Sequence, residues 1–290
     1  MKKIVFLGVA LSLLLTFSTA SFAGKFVRVS PDLELYYEEA GSGPPLIFVT
    51  GWTGTSEFFV PYQIPYFSKK NHVLAYDPRS QGRSGKTLEN HNYVQHGKDL
   101  RAFMEALQLK DPIVVAWSWG CHDVYGYFRT YGTDNVKAFV CIDQPPKSIA
   151  TQKGEWSDFG DAGEVGGLIN GLAYDRRAVM NEFAPTMVQH KMTQVELNWV
   201  LDQVLKTPDY VAVLLAADAS FADYSEEAKK IDGKIPVLNV SAESRADAAK
   251  VWLAKNAPRS ETLALGNHMM FREFPDKFNA AVGAFLARVK

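Results

Sequence analysis

Short apolar strands that alternate with helical segments predict an α/β fold class, a doubly wound and mostly parallel sheet with an inserted helical cap. Five segments are almost wholly apolar, as strands buried on both faces are. They are LIFV (46–49), HVLAY (72–76), IVVAW (113–117), AFVCI (138–142) and PVLNV (236–240). Between them, apolar residues recur at helical spacing, as at Leu100, Phe103 and Leu107. The sequence therefore predicts a parallel sheet that is covered by helices.

The first 23 residues have the pattern of a secretory signal peptide. Lys2 and Lys3 precede an apolar run that is followed by small residues, and Ser21 and Ala23 suit cleavage after Ala23. The run is shorter than the ~20 apolar residues that span a bilayer. We therefore expect a periplasmic or secreted protein with no membrane span after processing; a retained anchor is the alternative.

The mature chain is predicted to form one core with one insertion. Residues 25–39 alternate apolar and polar side chains, which is typical of antiparallel strands with one solvated face. We assign residues 24–144 and 234–290 to the α/β core and residues 145–233 to the helical cap (hereafter the cap), which lacks a convincing buried strand. Helix-like segments in the cap cover residues 176–190, 193–205 and 209–221.

The composition narrows the possible partners. The formal net charge is −1, and charged residues make up 22% of the chain. Such a balance gives no electrostatic footprint for nucleic acid or an anionic membrane. Cys121 and Cys141 both lie in apolar stretches, so we expect two buried thiols, with a disulfide as the alternative in an exported protein. We expect neither a metal site nor a cofactor, and no pattern sets an oligomeric state.

The segment AWSWG (116–120) is the first sign of chemistry. Ser118 follows a buried strand and precedes the helical stretch that begins at Gly120. A strand-to-helix turn of this kind strains the backbone, needs small residues beside it, and exposes the hydroxyl at the carboxyl edge of the sheet. Ser118 is therefore the candidate nucleophile.

Four segments together resemble the α/β-hydrolase superfamily, in its esterase and haloperoxidase-like branch. They are AWSWG, GSGPPLIFVTGW (41–52), YDPRSQGRS (76–84) and GNHMMFREFPDKFNAAVGAFL (266–286). They occur in the family's order and cover nearly the whole mature chain. Thr50 stands where the family usually has histidine, and Ser80 and Gln81 replace its common glycine and histidine.

A serine hydroxyl needs a positioned base, for which His268 is the candidate. It follows the short strand TLAL and the turn residues Gly266 and Asn267, on a loop at the same sheet edge as Ser118. The other histidines fit the role less well: His72, His91, His96, His122 and His190.

The third member of the predicted catalytic triad is harder to assign. In most of the family the acid follows the strand after the cap, where this chain has Arg245. Some branches carry it one strand earlier, which implies Asp143, directly after AFVCI. We expect Asp143 to be the acid; Glu243, Asp247 and a site without any acid are the alternatives.

The oxyanion hole is expected to use backbone N–H groups, which any side chain can supply. One belongs to Trp119, just after the nucleophile, and the resemblance implies Trp52 as the second. Both indoles are also expected to bind apolar substrate groups and exclude water. Trp117 is expected to pack beneath the turn.

The sequence therefore predicts an exported, cofactor-free serine hydrolase with a catalytic triad. Its substrate is expected to be a small carboxylic ester or related acyl compound with apolar groups, cleaved through an acyl-enzyme. The first alternative is a haloperoxidase-like perhydrolase that uses the same triad. The second is a hydrolase-fold binding protein without turnover, which the residues at 50 and 245 would favour.

Overall fold

The computed structural model describes residues 24–289, so the predicted signal peptide lies outside the described residues. In this part of the chain an eight-stranded sheet has the order β1-β2-β4-β3-β5-β6-β7-β8. The strands are β1 Lys25–Ser30, β2 Leu33–Ala40, β3 Pro45–Val49, β4 His72–Tyr76, β5 Ile113–Trp117, β6 Ala138–Ile142, β7 Val237–Ser241 and β8 Glu261–Ala264. β1 and β2 pair antiparallel, β2 pairs antiparallel with β4, and every other pair is parallel. The predicted mostly parallel sheet is confirmed.

Ten α-helices accompany the sheet within residues 24–289. They are α1 Gln63–Phe67, α2 Tyr93–Ala106, α3 Gly120–Tyr131, α4 Ala162–Phe183, α5 Gln194–Val204, α6 Asp209–Ser220, α7 Ser225–Ile231, α8 Ala246–Asn256, α9 Met270–Glu273 and α10 Pro275–Leu286. None of the helices in this described part is long and apolar enough to cross a membrane.

The sheet has an apolar core on each face. Along β3, Ile47 and Val49 belong to one buried cluster, whereas Leu46 and Phe48 belong to the other. All four side chains are 0% exposed. This alternation explains why the strand reads as a continuous apolar run: both of its faces are buried.

Helices α4 to α7 lie between β6 and β7, and the first of them differs from the sequence prediction. We expected a helix over residues 176–190, but α4 begins at Ala162, within the glycine-rich stretch GDAGEVGG (160–167), and ends at Phe183. The side chain of Asp161 accepts hydrogen bonds from the N–H groups of Gly163 and Glu164, which caps the helix inside the glycine-rich stretch. A non-helical residue, Asp175 (φ −151°, ψ 78°), kinks α4 in the middle.

The parallel topology brings the loops after β3, β5, β6, β7 and β8 to one edge of the sheet, because parallel strands all end on the same side. Crevices at this carboxyl edge are the usual ligand sites of open α/β sheets. The cap is inserted at this edge, since it follows β6.

Candidate active site

Ser118 occupies a strained turn between β5 and α3. Its φ is +56°, a left-handed conformation that few non-glycine residues adopt. Gly120 is required nearby, because a Cβ there would lie 2.3 Å from the carbonyl oxygen of Thr50. Gly51, in the loop after β3, is confined less tightly, since a Cβ there would lie 3.0 Å from Cβ of Ser118. The predicted turn is present, and small residues hold it against its neighbour.

The loop between β8 and α9 brings His268 to this turn. Nε2 of His268 lies 2.9 Å from Oγ of Ser118, and Nδ1 lies 2.7 Å from Oδ2 of Asp143. With Nδ1 donating to the carboxylate, Nε2 is free to accept the serine proton. The indole N–H of Trp117 donates to the carbonyl of His268 at 2.8 Å, so it fixes the loop from below. Sequence reasoning expected only packing from Trp117.

Asp143 directly follows β6 and has φ +50°. Its Oδ1 accepts a hydrogen bond from the N–H of Ala242 at 2.8 Å, and its side chain is 2% exposed. Burial alone would raise the pKa of Asp143, but the contacts with His268, Arg245 and the Ala242 N–H hold it below its ordinary value. The carboxylate is therefore kept ionised beside the imidazole.

The alternative acids lie elsewhere. Glu243 and Asp247 are both exposed. The carboxylate of Glu243 accepts a hydrogen bond from the side-chain amide of Gln189 at 3.0 Å. Of the three candidates, the structure brings only Asp143 to His268.

Arg245 has a place in the site that the sequence did not reveal. Its Nη2 donates to Oδ1 of Asp158 and to the carbonyl of Ser157, each at 2.8 Å, and its Nη1 lies 3.8 Å from Oδ2 of Asp143. The other oxygen of Asp158 accepts from Gln144 at 2.6 Å and from the indole N–H of Trp119 at 3.2 Å. The arginine at the family's usual acid position thus sits between two carboxylates.

The N–H groups predicted to form the oxyanion hole are not paired with other backbone groups in the described part of the chain. Within residues 24–289, the backbone N–H groups of Trp52 and Trp119 have no acceptor at hydrogen-bond distance. The two indoles meet edge to face, with ring centroids 5.8 Å apart. Both amides belong to loops that border Ser118, and such unpaired donors can stabilise a developing negative charge.

A cavity of about 640 Å³ opens onto Ser118 and His268. Trp52, Trp117 and Trp119 line it, as do apolar cap residues and a polar group. The apolar residues are Phe159, Leu168, Val179, Met180, Phe183, Met187 and Val204, and the polar group comprises Gln144, Ser157, Asp158 and Arg245. An acyl compound with apolar groups suits such a lining.

Two residues of α3, the helix after Ser118, are buried in the core and do not contact the serine hydroxyl. His122 is 0% exposed, burial lowers its pKa to about 4, and its Nε2 lies 3.3 Å from Nε2 of Gln144 rather than near the serine. Cys121 is a free, buried thiol beside Cys141, which is also free. Among the described residues, no group of three histidine, cysteine, aspartate or glutamate side chains could hold a metal ion.

Comparison with known proteins agrees with the fold described above. The family profile described as "alpha/beta hydrolase fold" matches residues 44–162. The chain is 30% identical over 128 residues to a non-heme haloperoxidase of Rhodococcus erythropolis. That alignment covers 44% of this chain and 47% of the relative, so the chain spans about half the length of the first curated relatives it matches.

Solved structures match over a longer stretch. A bromoperoxidase from Bacillus anthracis superposes with a TM-score of 0.82 at 23% identity, over 91% of this chain and 100% of that one. An esterase from Exiguobacterium antarcticum gives the same TM-score, 0.82, at 18% identity over 91% of this chain and 100% of that one. At these identities the likeness establishes the fold, and the chemistry has to be argued from the site.

Proposed function

Because the chain belongs to the α/β-hydrolase superfamily, we propose that it is an exported serine hydrolase that cleaves a carboxylic ester or related acyl compound with apolar groups. One observation carries the proposal. A single imidazole, that of His268, bonds Oγ of Ser118 at 2.9 Å and the buried carboxylate of Asp143 at 2.7 Å. Such an arrangement activates a hydroxyl that is otherwise a weak nucleophile.

The reaction follows from these contacts in two halves. Oγ of Ser118 attacks the carbonyl carbon while Nε2 of His268 takes its proton, and the carbonyl electron pair moves onto oxygen. The N–H groups of Trp52 and Trp119 bind that oxyanion, and Asp143 stabilises the imidazolium. The tetrahedral species collapses, the bond to the alcohol breaks, and His268 protonates the leaving oxygen. Water then attacks the acyl-enzyme by the same route and releases the acid and Ser118.

Fluorophosphonate labelling tests this proposal. We expect a fluorophosphonate probe to label Ser118 covalently and p-nitrophenyl esters to be hydrolysed with a burst. Both should be lost in Ser118→Ala, whose fold is checked by circular dichroism. Retained hydrolysis in that variant would remove Ser118 from the mechanism.

A haloperoxidase-like perhydrolase is the second candidate, since a Rhodococcus erythropolis relative is named a non-heme haloperoxidase. In that case hydrogen peroxide replaces water as the attacking group on the acyl-enzyme, and a peracid leaves. Halogenation of a dye that requires both a carboxylic acid and peroxide, and is lost in Ser118→Ala, would favour it over simple hydrolysis.

A binding protein without turnover is the third candidate. It gained support from Arg245 and from Thr50 in place of histidine. The contact of Asp143 with His268 weakens that support, because the acid no longer has to come from position 245. A Ser118 that no fluorophosphonate labels, in a folded protein, would favour the binder.

Export rests on residues 1–23, whose charged start, apolar run and small-residue end suit a cleaved signal peptide. We expect cell fractionation to find the protein in the periplasm or the medium, with Gly24 as its first residue by N-terminal sequencing. A membrane-bound protein that begins at Met1 would instead indicate a retained anchor.

A further inference from the structure

The loop of residues 50–55, hereafter the oxyanion loop, is held by the cap. The indole N–H of Trp52 donates to the carbonyl of Ala212 at 2.9 Å. The hydroxyl of Thr207 donates to the carbonyl of Thr53 at 3.3 Å, and the hydroxyl of Thr55 donates to Oε1 of Gln203 at 2.9 Å. Ala212, Thr207 and Gln203 all belong to the cap. The loop therefore makes three hydrogen bonds, from three of its residues, to a part of the chain that is remote in sequence.

This loop needs such support. Thr53 has φ +57°, which is strained for a β-branched residue, and strained backbone persists only where its surroundings fix it. Residue 50, where the family usually has histidine, supplies no side-chain bond, because Oγ1 of Thr50 is buried without a partner among the described residues. The support that residue 50 does not give the loop comes from its hydrogen bonds to the cap.

The cap residues that hold the loop are themselves fixed by a buried arginine. Arg176, in the second half of α4, is 4% exposed. Its guanidinium donates to the carbonyl of Val204, to the carbonyl of Thr207 at 2.6 Å and to the carboxylate of Asp209 at 3.0 Å. Arg176 thus clamps the corner between α5 and α6 from which Thr207 reaches the oxyanion loop.

The same helix forms the cavity wall. Leu168, Val179 and Met180 of α4 line the cavity that opens onto Ser118, and Arg176 lies between them in the chain. A substrate packed against α4 would therefore contact the element that fixes the corner behind the oxyanion loop.

We propose that Thr207 and Arg176 are positioning residues that set the backbone N–H of Trp52 for oxyanion binding, so that the cap forms part of the catalytic apparatus and not only of the pocket. This inference rests on the proposed serine hydrolase function. It implies that losing the Thr207–Thr53 bond weakens binding of the tetrahedral oxyanion more than binding of the substrate.

The test compares Thr207→Val with Ser148→Ala. Ser148 is a matched control, since its buried hydroxyl also donates to a carbonyl, that of Ala219 at 2.6 Å, but its side chain is not among those that line the cavity. Each variant is assayed for kcat and KM on a p-nitrophenyl ester. Each is also titrated with a trifluoromethyl ketone, which forms an oxyanion on Ser118, and with the matching secondary alcohol, which cannot.

For Thr207→Val we expect kcat and the affinity for the ketone to fall about tenfold, with KM and the affinity for the alcohol within about twofold of wild type. Ser148→Ala should leave all four values near wild type. Equal losses for ketone and alcohol, or a Thr207→Val profile like that of Ser148→Ala, would overturn the inference.

Fluorophosphonate labelling separates failure of this inference from failure of the proposed function. If wild-type protein takes no fluorophosphonate label, the proposed function itself fails. If wild-type Ser118 is labelled normally and Thr207→Val keeps wild-type kinetics and affinities, only the proposed role of the cap is wrong. Arg176→Met, if it folds, should reproduce the Thr207→Val pattern.

Discussion

Nη1 of Arg245 lies 3.8 Å from Oδ2 of Asp143, the same carboxylate oxygen that accepts the hydrogen bond from Nδ1 of His268. Arg245, at the position where the family usually carries its acid, therefore lies beside Asp143, the carboxylate that contacts His268. Its second carboxylate partner, Asp158, keeps the guanidinium in place through a 2.8 Å hydrogen bond. The substitution that obscured the acid in the sequence is part of what holds Asp143 ionised.

The contact between Asp143 and His268 predicts a large kinetic effect of Asp143→Asn. An asparagine amide can turn its N–H toward Nδ1 and favour the wrong imidazole tautomer, so we expect kcat for p-nitrophenyl esters to fall about 10⁴-fold. Glu243→Gln is the matched control and should keep near-normal turnover, because Glu243 is exposed and bonded to Gln189. If the two variants exchange these results, Glu243 is the acid.

Arg245→Met should make the protein less stable in a pH-dependent way. The pKa of Asp143 is held low by His268, Arg245 and Ala242 against its burial, so the ionised form adds stability that is present at neutral pH and lost as pH falls through the native pKa. Without the guanidinium this contribution shrinks. We expect a loss of about 2 kcal/mol in the free energy of unfolding at pH 7, diminishing below about pH 4.

Urea denaturation across pH 3–7 measures the effect of Arg245→Met. Arg177→Met is the control for net charge, since Arg177 is exposed and follows the kink of α4. It should differ little from wild type at every pH. A deficit in Arg245→Met that stays constant down to pH 3 would mean that its packing, and not its charge, matters.

Gly120→Ala probes the turn that carries Ser118. The new Cβ would meet the carbonyl oxygen of Thr50 at 2.3 Å, so either α3 or the oxyanion loop must move. We expect about 3 kcal/mol of destabilisation and slower fluorophosphonate labelling. In contrast, the new Cβ of Gly166→Ala, in the exposed first half of α4, meets nothing within 4 Å. This change should raise the free energy of unfolding by about 0.5–1 kcal/mol, because alanine favours a helix more than glycine does. Unchanged labelling in Gly120→Ala would show that the loop tolerates the displacement.

The features that could be predicted from the sequence are those that depend on local residues and on one physical cause. The strained serine turn follows from Gly120 and Ser118 themselves, and the sheet follows from apolar strands. Contacts between distant segments left no such pattern. Asp158 precedes α4 with no signal that it would pair with Arg245, and Thr207 gives no hint that its hydroxyl supports Thr53. The sequence prediction missed the start of α4 because its N-cap residue, Asp161, stands among glycines, which are typical of a loop.

Trp117→Phe tests whether the histidine loop is fixed from below. The indole N–H of Trp117 donates to the carbonyl of His268 at 2.8 Å, and phenylalanine keeps the aromatic packing while losing the donor. We expect kcat to fall about tenfold and stability by about 1 kcal/mol, because a small displacement of the imidazole lengthens its bond to Ser118. Trp156→Phe is the matched control. Trp156 is 3% exposed, and its indole nitrogen has no hydrogen-bond partner among residues 24–289, so this change should leave kcat unaltered. Equal kcat losses in the two variants would trace the effect to lost indole volume, and the loop would then need no support from Trp117.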